Sequence, residues 1–398
     1  MIFSLEAARR LAYDVYSGFW KVGDSCFFDK GDCLRYATAT QQMNVTYHFF
    51  DEVYQTLDWT AEPTESLNYL YTERAKQLRD KYEHIALSFS GGVDSTNILQ
   101  TFLKNNIKLD EVVAWYPVKA SEKLLINFNS KNKHAGNIIF EYQEAVVPVF
   151  KWLAKHHPEI KLTVLDYTDT PFDVVNKTQM HDVTIGGCVS HAMTTGQYLM
   201  TEHLRKYNKT CCQLLGVDKP RVVYSRNDNQ WYTYFLDFNT LLGHWPQSTF
   251  NGNEPKTEYF YYSFDMPKIT QKQCFEIKKA FQFVDKTPTN PHFEDLFSFA
   301  GKTKPGIVRV NPQHDIFKKI IYPDCNLETY QAGKASVYFY HEQTTWFLDA
   351  IKNDKRITDF YDGQIYEMIH GVHPDFMEYM FDGRPAKFKD MISKIIPF

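Results

Sequence analysis

Residues 90–95 have the types and spacing of a phosphate-binding turn. They follow an apolar run at 84–89 that predicts a buried strand, and they lead into 93–104, where apolar residues recur at helical spacing. Gly91 and Gly92 let the backbone approach an anion closely, and the first N–H groups of the helix add positive potential. The pattern predicts a strand, a glycine turn and a helix that bind phosphate; an ordinary turn built from small residues is the alternative.

The side chains of this turn suggest how the phosphates are held. The stretch lacks the Gly-Lys-Ser/Thr ending of a Walker loop, and it offers two hydroxyls, Ser90 and Ser95, with one carboxylate, Asp94. A carboxylate beside phosphates repels them unless a cation lies between. The turn therefore implies Mg²⁺ bound by Asp94.

The order Ser-Gly-Gly-Val-Asp-Ser at 90–95 resembles the motif of the PP-loop ATP pyrophosphatases. This superfamily includes the synthetase domain of asparagine synthetase, GMP synthetase, NAD synthetase and several tRNA-modifying enzymes. The resemblance implies ATP and Mg²⁺ as cofactors, a loop that holds the β,γ-pyrophosphate, and attack at the α-phosphate. AMP, or an adenylated intermediate, and pyrophosphate would be the products. The implied nucleotide-binding residues are Ser90, Gly91, Gly92, Val93, Asp94 and Ser95.

A second candidate element begins at Gly216, where asparagine synthetase-like proteins place another phosphate and Mg²⁺ element. The family's pattern there is richer in acids, and only Asp218 matches the acidic role, as a second ligand of Mg²⁺. Lys219 and Arg221 depart from the pattern and could neutralise pyrophosphate directly, because Arg suits bidentate phosphate contact. A turn with solvated charges is the alternative.

Three further positions come from the same resemblance. Synthetases of this class use a late lysine to stabilise charge on the α-phosphate, and Lys334 is the candidate, with a loop lysine of no role as the alternative. The predicted catalytic residues are then Asp94, Asp218 and Lys334. Trp115 and Tyr116 end the second strand, where the family holds adenine; core packing is an equal contender for Trp115.

Strands and helices alternate through the middle of the chain, which favours a parallel sheet with its loops converging at one edge. Strands are predicted at 84–89, 111–116, 161–166 and 211–215, and helices at 64–82, 93–104, 136–155 and 191–207. Pro148 is expected to kink or restart its helix. The fold class is therefore α/β, a PP-loop (adenine nucleotide alpha hydrolase-like) parallel sheet.

Three regions are expected along the chain. Residues 1–62 form a small α+β unit, in which a Gly23–Asp24 turn separates two strands of a hairpin. Residues 63–225 form the ATP-binding domain. Residues 226–398 form a mostly helical substrate or lid region, with helices expected at 268–281, 340–351, 359–369 and 374–380.

Composition restricts the class of protein. A chain of 398 residues suggests two or three domains, and a net charge of −4 gives no electrostatic reason to expect nucleic-acid or membrane binding. No apolar run is long enough to cross a bilayer, and the N-terminus lacks a signal-peptide layout. Seven cysteines without a CxxC pair indicate free thiols in the cytoplasm. Their spacing also argues against the zinc-bearing and sulfur-transferring members of the superfamily.

The favoured function is an ATP-dependent amide- or amine-forming ligase, similar to asparagine synthetase. It would adenylate an oxygen of a small-molecule acceptor, and ammonia or an amine would then displace AMP. Position 2 is Ile2 rather than the nucleophilic Cys of the family's glutaminase domain, so no glutaminase is expected in this chain. The oligomeric state is left open, a homo-oligomer included.

Two other functions remain alternatives. The first is a PP-loop enzyme that modifies a nucleobase or tRNA, and the second is an inactive nucleotide-binding scaffold. Residues 59–82, 260–273 and 331–336 also resemble asparagine synthase-like proteins encoded by large tailed bacteriophages, which have no agreed substrate.

Overall fold

The computed structural model describes most of the chain in separate ranges. These are residues 2–28, 30–42, 44–116, 118–119, 141–166, 191–207, 209–216, 219–237, 255–299, 306–312, 314–325 and 393–398.

The N-terminal unit is a three-stranded antiparallel sheet with helices around it. Its elements are α1 (Leu5–Val15), β1 (Phe19–Val22), β2 (Ser25–Phe27), α2 (Lys30–Thr40), β3 (Val45–His48) and α3 (Asp51–Tyr54). Strand β1 lies between β2 and β3, and Gly23 turns the hairpin at a φ of +54°. The predicted hairpin is confirmed. Helix α1 was not predicted; it begins at Ser4, whose hydroxyl accepts from the Ala7 amide.

The remaining elements belong to a parallel sheet, an antiparallel sheet and the helices that pack on them. The helices are α4 (Leu67–Lys81), α5 (Val93–Lys104), a π-helical turn (Glu141–Val146), α6 (Val147–His156), α7 (His191–Arg205), α8 (Lys268–Phe281), α9 (Phe293–Leu296) and α10 (Asp315–Ile321). The strands are β4 (His84–Ser88), β5 (Glu111–Tyr116), β6 (Lys161–Asp166), β7 (Cys211–Leu215), β8 (Arg221–Ser225), β9 (Gln230–Tyr234), β10 (Lys256–Tyr259), β11 (Phe297–Phe299), β12 (Ile307–Val310) and β13 (Ile396–Pro397).

The five strands of the second sheet are all parallel, in the order β10-β7-β4-β5-β6. The predicted α/β class and parallel sheet are confirmed. Every residue of β4 and β7 is buried, which explains why their sequences are mostly apolar. Helix α6 begins at Val147 beside Pro148, directly after the π-helical turn, so the proline restarts the helix as expected.

Strand β10 was not predicted. Its sequence, Lys-Thr-Glu-Tyr at Lys256–Tyr259, has no apolar run because the strand lies at the edge of the sheet and its first two residues are half-buried. It pairs with β7 from within the segment that the sequence assigns to the C-terminal region. The parallel sheet therefore contains residues from the predicted ATP-binding domain, 63–225, and from the predicted C-terminal region, 226–398.

A third sheet, antiparallel and in the order β11-β12-β8-β9-β13, was also not predicted. It takes up most of the described strands after residue 220, in a region expected to be mostly helical. The hairpin of β8 and β9 turns through Asn229 at a φ of +53°, and its aromatic residues suit strands. Of the predicted C-terminal helices, α8 is confirmed, and those at 340–351, 359–369 and 374–380 lie outside the described residues.

A buried ion network joins the N-terminal unit, α4 and the parallel sheet. Arg74 of α4 donates to Glu258 of β10 at 2.8 Å and to the Tyr16 hydroxyl at 3.2 Å. Lys81 and Tyr82 donate to the other oxygen of Glu258, at 2.7 and 2.5 Å. Because Arg74 and Glu258 are both fully buried, this network fixes how α4 lies against the strand.

Two predictions made from composition can be compared with the described residues. No helix among them is long and apolar enough to cross a bilayer. The described cysteines are free thiols: Cys26, Cys33, Cys211, Cys212 and Cys274 are buried, and Cys325 is half-buried.

Candidate functional site

The strand order creates a crevice at the carboxyl ends of β4 and β7. From β4 the chain adds β5 and then β6 on one side, and it adds β7 and then β10 on the other. Connections that leave two neighbouring strands in opposite directions open a gap between them, and ligands of open α/β sheets bind there. The turn at 89–92 follows β4, and Gly216 follows β7, so both candidate elements lie at this gap.

Gly91 and Gly92 have different structural roles in the turn. Gly91 has a φ of +74°, and a Cβ at this position would lie 2.4 Å from the Ala145 Cβ of the π-helical turn. Gly92 is the N-cap of α5 with an ordinary φ of −73°, and a Cβ there would meet only the Ser90 hydroxyl, at 3.4 Å. Gly91 is needed for packing, whereas the space beside Gly92 is open to a ligand.

The two hydroxyls hold the turn in shape. Ser95 Oγ donates to the Gly92 carbonyl at 3.1 Å and accepts from the Ser90 amide at 3.4 Å. Ser90 Oγ accepts from the Gly92 amide at 3.4 Å. In an α-helix each N–H donates to the carbonyl four residues earlier, so the N–H groups of the first turn of α5 have no partner within the helix. They are therefore available to an anion.

Asp94 is held by three side chains that come from distant parts of the chain. Lys219 Nζ donates to Asp94 Oδ2 at 2.7 Å, and the Tyr322 hydroxyl donates to Oδ1 at 2.6 Å. The Tyr261 hydroxyl donates to the Asp94 carbonyl at 2.9 Å. Both carboxylate oxygens are therefore engaged by the protein itself.

The element after β7 reaches the start of α5. A Cβ at Gly216 would lie 3.2 Å from the carbonyl carbon of Asp94 and from the amide nitrogen of Ser95, so glycine allows the close approach. The backbone of Lys219 is held in place, because the Tyr262 hydroxyl donates to its carbonyl. Asp218 lies outside the described residues, and Arg221 is the first residue of β8 in the antiparallel sheet.

A second buried lysine lies near the same carboxylate. The Lys318 side chain, 7% exposed, extends from α10 and pairs with Asp315 at 3.6 Å. Burial lowers the Lys318 pKa; Asp315 acts in the opposite direction, and Lys219 lowers the pKa further. Lys318 also interacts electrostatically with Asp94 in the first turn of α5, so both lysines make the local potential more favourable to an anion.

Trp115 and Tyr116 lie on opposite faces of β5. The Trp115 ring packs against Gly196 of α7, where a Cβ would come within 2.3 Å of the ring. The Tyr116 ring packs against the Tyr142 ring, with 5.2 Å between the ring centroids, and its hydroxyl donates to the Ser90 carbonyl at 3.4 Å. Tyr116 is thus brought to the turn, whereas the packing of Trp115 favours the core-packing alternative.

The described residues offer little for a metal ion. No group of three His, Cys, Asp or Glu side chains among them has the arrangement of a metal site. The carboxylate of Asp94 is paired with Lys219 and Tyr322, and this pairing does not fit direct binding of Mg²⁺ by Asp94. Lys334 lies outside the described residues, as does Asp218.

Sequence reasoning missed Lys318, Tyr322, Tyr261 and Tyr262 as site residues. Lys318 lies in α10 and Tyr322 directly follows that helix, and neither residue stands in a motif that the sequence would single out. The tyrosines at 261 and 262 belong to an aromatic run that directly follows β10. The location of that run at the crevice depends on the unpredicted pairing of β10 with β7.

Comparison of the sequence with protein-family models and with curated proteins gave no match.

Proposed function

We propose that the chain is an ATP-dependent ligase, similar to asparagine synthetase, that forms an amide or a substituted amine. The observation that carries the proposal is the Ser90–Ser95 turn at the carboxyl edge of the central strand, with the N-terminus of α5 and the buried Lys219 at one crevice. This arrangement can hold a polyanion as a unit, since backbone N–H groups and ammonium groups approach it from several sides.

The proposed first step occurs at the α-phosphorus of ATP. An oxygen of the acceptor forms a bond to the α-phosphorus, the bond from phosphorus to the β-bridging oxygen breaks, and pyrophosphate leaves. The helix N-terminus, Lys219 and Lys318 stabilise the charge that develops on the departing pyrophosphate. In the second step the nitrogen of ammonia or an amine attacks the activated carbon of the adenylate, loses a proton, and AMP departs.

Magnesium would accompany ATP, bound chiefly by phosphate oxygens, and would supply further charge neutralisation there. The described residues add no carboxylate to its coordination while Asp94 remains paired with Lys219. The acceptor is a small molecule, and the site of attack lies at the crevice because the phosphates are held there.

The test determines whether ATP is cleaved at the α-phosphorus or at the γ-phosphorus. The purified chain is incubated with Mg-ATP and a protein-free small-molecule extract as a source of acceptors, and the nucleotides are separated by chromatography. AMP and pyrophosphate in equal amounts are expected. A variant with an anionic N-cap, Gly92→Asp, prepared in the same way, measures the background from co-purifying enzymes. ADP and phosphate above that background would contradict the proposal.

A further inference from the structure

We infer that Lys219 is a fixed counter-ion for Asp94, which lets the turn bind pyrophosphate without a divalent cation on Asp94. The identity of the ligand rests on the proposed function; the source of the neutralising charge does not. From the sequence, a carboxylate in a phosphate site implied Mg²⁺; the ammonium of Lys219 supplies that neutralising charge instead.

The first observation is the ion pair itself. Lys219 Nζ lies 2.7 Å from Asp94 Oδ2, and the side chains of Lys219 and Asp94 are 8% and 28% exposed. An ammonium at this distance offsets most of the repulsion between the carboxylate and a nearby phosphate, and screening by solvent is weaker for a pair that is mostly buried.

The second observation is that the ammonium is held in place. The Tyr262 hydroxyl donates to the Lys219 carbonyl, and Tyr262 itself is buried. Three residues earlier, Gly216 packs against the first turn of α5. The contacts of Gly216 with α5 and of the Lys219 carbonyl with Tyr262 thus hold the lysine beside Asp94 without a ligand.

The third observation concerns the surroundings of Asp94. A divalent ion on this carboxylate would compete with Lys219 for Oδ2 or with the Tyr322 hydroxyl for Oδ1, and it would be repelled by the Lys219 ammonium. Lys219 and Lys318 are both largely buried and repel each other, so a nearby anion is favourable to both. The arrangement favours phosphate over a metal ion at this point.

The experiment measures pyrophosphate affinity by isothermal titration calorimetry, once in EDTA and once with Mg²⁺. For the unaltered chain, the two affinities are expected to agree within about threefold. In Lys219→Met, affinity in EDTA is expected to fall by about tenfold or more, because Asp94 then repels the phosphates, and Mg²⁺ should restore part of it.

A second set of variants separates charge from folding. Adding Asp94→Asn to Lys219→Met removes the uncompensated carboxylate and should recover much of the affinity in EDTA. Lys219→Arg keeps the charge and should bind in EDTA nearly as well as the unaltered chain. Lys104→Met, at the exposed C-terminal end of the same helix, is the matched control and should change neither affinity.

The outcomes distinguish the inference from the proposed function. Binding by the unaltered chain only with Mg²⁺, or equal affinities for Lys219→Met and the unaltered chain in EDTA, overturns the role of Lys219 and leaves the pyrophosphate site standing. A double variant that binds no better in EDTA than Lys219→Met also overturns it. Failure of the unaltered chain to bind pyrophosphate in either buffer overturns the inference together with the proposed ligand.

Discussion

Tyr322 donates its hydroxyl to Asp94 Oδ1 at 2.6 Å, although 228 residues separate the two in the sequence. Tyr322 directly follows α10, and Asp94 lies in the first turn of α5, so this bond ties the two helices together at the crevice. Burial, followed by the neighbouring carboxylate of Asp94, raises the pKa of Tyr322 well above its usual value. The phenol therefore remains a donor over the whole working pH range.

Replacing Tyr322 by Phe should weaken pyrophosphate binding more than it weakens the fold. The buried hydrogen bond contributes about 1 kcal/mol to the free energy of unfolding, and Asp94 is exposed enough to regain a water molecule. Its carboxylate then carries more uncompensated charge toward the phosphates. The measurements are thermal unfolding and calorimetric titration with pyrophosphate.

Tyr261→Phe is the matched control for this variant. It removes hydrogen bonds to the Asp94 carbonyl and from Asn97, but it leaves both carboxylate partners in place. A loss of stability at least as large, because two hydrogen bonds are removed, is expected with a smaller loss of affinity. Equal losses of affinity in the two variants would show that the hydroxyl on the carboxylate has no special electrostatic role.

Gly92→Asp should abolish anion binding without destabilising the protein. Gly92 is the N-cap of α5, its backbone conformation suits any residue, and a Cβ there meets only Ser90 Oγ. Asp is a preferred N-cap, so the free energy of unfolding should stay within about 1 kcal/mol of its original value or rise. The new carboxylate lies where the phosphates would bind and repels them.

Gly92→Asn serves as the uncharged comparison, since Asn caps helices as well as Asp does and has nearly the same shape. Its pyrophosphate affinity should fall far less than that of the Asp variant. If the two variants bind equally well, the open space beside Gly92 is not where the phosphates lie.

Gly91→Ala, in contrast, should destabilise the fold. The φ of +74° is strained for alanine, and the new methyl group would lie 2.4 Å from the Ala145 Cβ. A loss of about 1–3 kcal/mol is expected from strain and overpacking, measured by denaturant unfolding. Adding Ala145→Gly removes the closest atom and should recover part of the loss, since the backbone strain remains. Full stability of the single variant would contradict the close packing of the two segments.

The sequence was informative where a segment carries its own signal. Residues 84–104 could be assigned from one apolar run, two glycines and one amphipathic pattern, and the structure has both elements there. The edge strand β10 carries no such signal, because only one side of it pairs and its first residues are half-buried polar groups. Strand β13 has two residues, too few for any periodicity.

The backbone of the site could be predicted from the sequence, but the partners of its charged side chains could not. The glycine turn and the approach of Gly216 follow from strand ends meeting at one edge of a parallel sheet. That Lys219 would face Asp94 depends on the bond from Tyr262 to the Lys219 carbonyl, and Tyr262 lies in the aromatic run after β10, a strand that was not predicted. Tyr322 reaches the site through tertiary packing, which leaves no local pattern.

The opposite edge of the parallel sheet carries a buried carboxylate, Glu111, at the start of β5. It lies within 3.0 Å of His84 Nε2 and 2.8 Å of His203 Nε2, and it accepts from the Tyr207 hydroxyl at 2.9 Å. Thr163 donates to it as well, and the Lys161 ammonium is 3.2 Å away. Burial raises the Glu111 pKa, but the hydrogen bonds from His203, His84 and Thr163 outweigh it and lower the pKa far below its usual value.

This lowered pKa makes Glu111 a source of stability that acid removes. The stabilisation is fully present above the unfolded-state pKa of about 4.5, and it declines as the pH falls below that value because the unfolded chain then binds a proton that the folded chain does not. Glu111→Gln cannot titrate. The difference in free energy of unfolding between the two proteins should therefore shrink below pH ~4.5, by at most about 1.4 kcal/mol per pH unit. Urea unfolding from pH 7 to pH 3 measures this slope.

Glu73→Gln, which alters an exposed pair with Lys76, is the control and should follow the unaltered chain within about 0.5 kcal/mol throughout. A gap between Glu111→Gln and the unaltered chain that stays constant down to pH 3 would mean that the carboxylate contributes through packing and not through its charge.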